Sequence, residues 1–290
     1  MRSMQHQYTH GRVHRRGFPC LLPAVLAGMI IMAAVAVMTA DVTNIVMAAS
    51  TPAPAKTETG RYGYYQAPRA GEAINIDGRA EESSWEKAAW NPIDQLWLGV
   101  QPGPEDFSGR FKVLWDEDHL YILAEIIDDV LFDRYPDPRQ DYYKDDCLEI
   151  FLDEDHSGGD HTYNFNAFAY HIALDYNIVD LYARHRRAVP EPILLNDHAV
   201  VQRTAQAGEG GTVYTWEVAL KVFADTFNPA KENTPVRLFP GKRLGFAVAY
   251  CDNDGGYDRE SFIGSVFIPG KDKNVAYKDA SVFATLELMP

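Results

Sequence analysis

From Arg69 to Pro290, apolar and polar positions alternate in short runs with the period of two that marks β-strands. Arg110–Asp116 puts Phe111, Val113 and Trp115 on one face. His119–Ile127 follows across a tight Asp116-Glu117-Asp118 turn, which predicts a hairpin. In Cys147–Asp153, Leu148, Ile150 and Leu152 share one face, while Cys147, Glu149, Phe151 and Asp153 share the other. Tyr163–Tyr170, His171–Asp175 and Ile178–Tyr182 continue the pattern. His198–Ala207 and Thr212–Lys221 flank the turn Gly208-Glu209-Gly210-Gly211, and Leu244–Asp252 and Ser281–Leu288 close the chain. Only Glu81–Ala89, acidic first and apolar later, predicts a helical turn. About ten short strands with polar turns predict an all-β fold, an antiparallel, jelly-roll-like β-sandwich. Trp85, Trp115 and Trp216 fall on core-facing positions, whereas Trp90 and Trp97 lie in an irregular stretch and are candidates to extend a binding surface.

The N-terminal quarter follows different rules. Residues 1–17 are polar and basic, and Phe18 to Ala40 carries no charge. Residues 1–49 therefore form a signal peptide or an N-terminal anchor, and Val46-Met47-Ala48 offers a small-residue cleavage site. The expected location is secreted or periplasmic, with membrane contact only through residues 18–40 if the segment is uncleaved. Residues 50–68, rich in Pro, Ala, Thr and Gly, are expected to be a disordered linker. Residues 69–290 then make one domain, large enough to bury a substantial core.

The net charge is −14, and residues 1–49 carry +3, so the remainder is near −17. That excess argues against nucleic acid as a partner and is compatible with divalent cations and neutral ligands. Of the three cysteines, only Cys147 and Cys251 lie beyond the N-terminal segment. In an exported protein they can form one disulfide, provided that their strands are neighbours.

The stretch Asp141–Asp153 concentrates the candidate chemistry. Tyr142 and Tyr143, then Asp145 and Asp146, precede the strand that bears Glu149. Aromatic faces pack on the C–H face of a sugar ring, and a carboxylate accepts hydrogen bonds from its hydroxyls. The order Ile76-Asp77-Gly78…Glu82…Trp85…Ala88, then FKVLWDEDHLYILAEIIDD, then DDCLEIFLDE resembles the family 9 carbohydrate-binding modules. TWEVALK and LGFAVAYCDNDGGYDRE extend the likeness, so that it spans nearly all of residues 70–290.

The resemblance implies a non-catalytic sandwich that holds a sugar between two aromatic rings. Tyr143 and Tyr277 occupy the ring positions, where the family usually has tryptophan. Glu149 corresponds to the family's carboxylate, Asn274 to an amide and Arg259 to a basic donor. Two positions depart from the pattern: Ala249 stands for an expected glutamine and Asn164 for an expected arginine. The resemblance also implies structural Ca2+. Asp153, Asp155 and Asp160, in a turn with oxygen groups at alternating positions, are the expected ligands. Asp252-Asn253-Asp254-Gly255-Gly256 is a second such stretch, read as a hairpin turn.

No nucleophile elbow, HExxH or phosphate loop is present, so the chain is not expected to be an enzyme. The expected partner is an oligo- or polysaccharide. Two alternatives differ in class. Related sandwich domains hold haem through axial Met, Lys or His; here Met289, His161 and His171 would have to serve. The other is a surface domain for assembly or sensing, without a sugar ligand.

Overall fold

The computed structural model describes residues 62–208 and 211–290. The signal or anchor expectation for 1–49 and most of the expected linker fall outside these residues. In chain order the strands are β1 (Tyr64–Ala67), β2 (Asn91–Ile93), β3 (Gln95–Gly99), β4 (Phe107–Trp115), β5 (Leu120–Asp128), β6 (Cys147–Asp153) and β7 (Phe168–Ala173). They continue as β8 (Ile178–Tyr182), β9 (Glu191–Leu194), β10 (Ala199–Gly208), β11 (Gly211–Leu220), β12 (Arg243–Asp252), β13 (Ser261–Gly264) and β14 (Ala284–Leu288). The expected helical turn is a short 3-10 helix over Ser83–Lys87.

These strands form two sheets. One holds nine strands, ordered β1-β14-β12-β6-β7-β8-β9, with β13 bridging β12 to β3; the other is ordered β10-β11-β5-β4-β2. The hairpin read from residues 110–127 is β4–β5, with Phe111 opposite Ala124 and Trp115 opposite Leu120. The sheets meet through the residues that the alternation assigned to the core. Phe107 stacks on Tyr250, and Phe111 lies against Phe246, across the interface. Trp115, Trp216, Leu148, Ile150 and Leu152 are fully buried in this layer. Burial of apolar surface on this scale is the main favourable contribution to the fold.

Three expectations need correction. Strand β1 lies inside the segment read as linker. It pairs parallel to β14, with Tyr65 opposite Leu286, and the Tyr65 ring packs edge-on against Phe111. Pattern reading missed it because its four residues are flanked by turn formers. Second, the strand expected at Tyr163–Tyr170 begins only at Phe168. Asp160 and Asn164 accept hydrogen bonds from the Thr162 and Asn166 amides, which folds residues 160–166 into successive turns. Third, β6 is buried on both faces rather than one. Its second face is covered by Trp97, Phe283 and loops, as Phe151 touches both rings. Gly264 makes room for Trp97, since a Cβ there would lie 2.0 Å from the indole.

Candidate functional site

The second face of β6 is where the candidate residues gather. β6 pairs with β12 on one side and β7 on the other, so Glu149 has Ala249 and His171 as its direct neighbours. The loop before β6 brings Tyr142 and Tyr143, the segment after β12 brings Arg259, and the turn before β14 brings Asn274 and Tyr277. Tyr143, Glu149, Arg259, Asn274 and Tyr277, all five residues named from the sequence, line one cavity of about 260 Å³. Its volume is near the low end for ligand cavities, roughly 300–1,000 Å³.

Aromatic walls and a charged floor divide the cavity. Tyr143 and Tyr277 are 36% and 39% exposed, whereas Glu149 is 1% exposed. The buried carboxylate has three neighbouring donors around one oxygen. His171 Nε2 is 3.0 Å from Glu149 Oε1, Cys251 Sγ donates at 3.0 Å, and Arg259 Nη1 lies at 3.5 Å. Burial alone would raise the Glu149 pKa, but the His171 charge and hydrogen bond, aided by Arg259, hold it below its usual value. Arg259 is itself pinned: its guanidinium lies 4.0 Å from the Phe262 ring centroid and 5.5 Å from that of Tyr143. Arg259 Nε, a donor, and Asn274 Oδ1, an acceptor, are buried without partners. Unpaired buried polar groups are costly, so each of these two is free to take a partner that the protein does not supply.

Sequence reasoning missed His171, Asp180 and Phe262 as lining residues. His171 carried a signal that could have found it, because a cation directly across from a buried acid is the economical way to place that acid in a sheet. Asn164, where an arginine was expected, does not line this cavity. Ala249 offers Glu149 no polar contact where a glutamine was expected. Trp97 is buried, donating from its indole to the Val266 carbonyl at 2.9 Å, and Trp90 lies under Arg110 on the other sheet; neither lines the cavity. The alternative haem ligands are engaged elsewhere: His161 Nε2 bonds the Ala276 carbonyl at 2.7 Å, and His171 bonds Glu149.

The expected metal ligands are not assembled. Asp153 accepts from the Gly158 amide at 2.7 Å, Asp155 from Ser157 and Asp160 from Thr162, so the carboxylates cap their own turns. Three-carboxylate groups instead form around Asp252: Asp128 and Asp146 on one side, Asp106 and Asp254 on the other, with ligand atoms within 4.8 Å of one another in each group. Asp252 is fully buried and neither of its carboxylate oxygens has a partner. Burial, added to by neighbouring carboxylates, pushes the pKa of Asp146 up to about 9 and that of Asp252 up to about 8. The second of the two stretches singled out from the sequence thus contributes Asp252 and Asp254 to these acidic groups.

No curated protein matches the chain. A carbohydrate-binding module of family 9 from Caldicellulosiruptor kristjanssonii, solved in complex with cellotriose, superposes with a TM-score of 0.52 at 19% identity, covering 78% of this chain and 93% of that one. The module solved with glucose gives a TM-score of 0.51 at 19% identity, with coverage of 77% and 95%. The family described as "Carbohydrate family 9 binding domain-like" matches residues 76–290, nearly three quarters of the sequence. The chain belongs to that family.

Proposed function

We propose that this protein is an exported, non-catalytic carbohydrate-binding protein that seats a sugar ring between Tyr143 and Tyr277. Glu149, Arg259 and Asn274 would read its hydroxyls. One observation carries the reading: two half-exposed tyrosines line the same cavity as a fully buried, ionised carboxylate. A pyranose is amphipathic in this way, with apolar C–H faces and a polar rim. Sugar hydroxyls both accept and donate, so they suit the Arg259 Nε–H and Asn274 Oδ1, two groups left unpaired. The solved relatives bind cellotriose and glucose, which makes a β-linked glucan the first ligand to try.

Calorimetric titration with cellotriose tests this. Binding to the wild type, weakened at least tenfold in Glu149→Gln while thermal melting shows the variant still folded, is the expected result, because a buried charged acceptor is lost. Equal binding by both proteins would remove Glu149 from the site.

A hard divalent cation such as Ca2+ belongs to the same proposal, at a different place from the turn first expected. Asp252 supports it, because an ionised carboxylate without a hydrogen bond is expensive to bury unless a cation meets it. Asp128 and Asp146 would complete the donor set, with Asp106 and Asp254 adjoining. All are oxygen donors, as a hard cation requires.

A further inference from the structure

We propose that His171 is a positioning residue for sugar recognition, a two-donor imidazolium that fixes Glu149 and makes carbohydrate binding by this pocket depend on pH. The inference rests on the sugar-site reading above and adds to it a residue and a regulation.

Hydrogen-bond bookkeeping carries it. His171 stands directly opposite Glu149 in the β6–β7 ladder. Its Nε2 is 3.0 Å from Glu149 Oε1, and its Nδ1 is 3.0 Å from the Ala169 carbonyl. Neither partner can donate. A carbonyl oxygen is an acceptor only, and Glu149 Oε1 already faces the Cys251 thiol and the Arg259 guanidinium, both donors. A neutral imidazole has a single N–H and would leave one nitrogen lone pair against an oxygen lone pair in a buried setting. Only the imidazolium satisfies both contacts.

The surroundings agree. Asp180 on β8 also faces the cavity, with its oxygens held by the Ala169 and Leu181 amides at 3.1 and 2.7 Å. The Tyr142 ring stands edge-on to the imidazole, 4.6 Å between centroids. Burial opposes the His171 charge, but Glu149 and then Asp180 outweigh it, and its pKa lies above the ordinary histidine value. Asp180, itself pushed up to about 7 by burial, adds its charge as pH rises and helps retain the proton.

Loss of that proton has a local consequence. Glu149 would exchange a charged donor for at most a neutral N–H, with the other ring nitrogen left to set its lone pair against the Ala169 carbonyl. Arg259, only 3.5 Å away, is then the remaining cation that can compensate. A guanidinium drawn onto Glu149 is a guanidinium withdrawn from the sugar.

The test is titration with cellotriose from about pH 5.5 to about pH 9.5, a range that brackets a raised histidine pKa. Wild type, His171→Arg and His171→Gln would be compared, each checked for folding by thermal melting. Ring nitrogen chemical shifts of His171 would be followed by NMR in the wild type. Affinity of the wild type should fall roughly tenfold or more across the range, in step with the loss of the imidazolium signal. His171→Arg should flatten the profile and keep binding at high pH, whereas His171→Gln should bind weakly throughout. A flat wild-type profile, or a neutral imidazole at the acidic end, overturns the proposal. Should cellotriose bind at no pH while the imidazolium signal is present, the sugar-site reading fails and the proposal falls with it.

Discussion

Asp252 shows how a single side chain can encode a requirement. Fully buried beside Asp128 and Asp146, it would be protonated in the metal-free fold around neutrality, given a pKa of about 8. A carboxyl whose pKa is higher folded than unfolded keeps more protons in the folded state. Metal-free protein should therefore lose stability as pH rises from about 4 towards about 8, the interval between the unfolded and folded values. Calcium, binding only the fold, should restore it by mass action. Melting curves with chelator at both ends of that range, then with excess calcium, check this; a melting temperature indifferent to chelator and pH would count against the cation. At the other residue pair, Tyr143→Ala and Tyr277→Ala should each weaken cellotriose binding several-fold without unfolding. Stacked rings contribute on the order of 1 kcal/mol each beyond the area they cover. An unchanged affinity in either variant would remove that ring from the site.

At the scale of elements, the loop joining β5 to β6 connects the two candidate centres. It leaves the sheet at Asp128 and returns at Asp146, and Asp146 accepts from the Phe132 amide at 2.6 Å and the Asn253 amide at 2.8 Å. The same loop carries Tyr142 and Tyr143 to the cavity. Chelation should accordingly weaken sugar binding as well as stability, and Asp252→Asn should reproduce the loss of cation response. Cellotriose affinity measured with and without chelator decides whether the centres are coupled; equal values would mean that they are not. Strand β1 offers a second test. A chain beginning at Arg69 loses the parallel pairing with β14 and the Tyr65 ring from the core. Removing a buried aromatic costs about 3–5 kcal/mol, so this chain should melt well below one beginning at Tyr62.

For the whole molecule, export remains a proposal with direct checks. N-terminal sequencing of native protein should place the mature start near Ala49; a retained Met1 would contradict cleavage. Cys147 and Cys251 are register partners on adjacent strands, buried and free in this structure. Directly opposed residues in an antiparallel pair have Cα atoms roughly 4.5–5.5 Å apart, within disulfide range. A disulfide there would remove the Cys251 thiol that donates to Glu149, so thiol counting under denaturing conditions should find both cysteines free in sugar-binding material.

The sequence determined the layering. Period-two alternation decides which side chains meet in the core, and it needs no knowledge of partners; hence Phe111, Trp115, Leu148, Ile150 and Trp216 were all legible as core. The resemblance to the family 9 modules also named five of the residues that line the cavity. What the sequence could not determine depends on which strands become neighbours. His171 and Glu149 are far apart in sequence and become a pair only because β7 lies beside β6. The acidic centre draws Asp128, Asp146 and Asp252 from three strand ends, so no single loop displays its ligand pattern. Conversely, the alternating oxygens of Asp153, Asp155 and Asp160 also suit turn capping, and the fold holds one oxygen of each on an amide of its own turn. Local pattern follows from backbone geometry, whereas charge pairing and cation sites follow from tertiary contact.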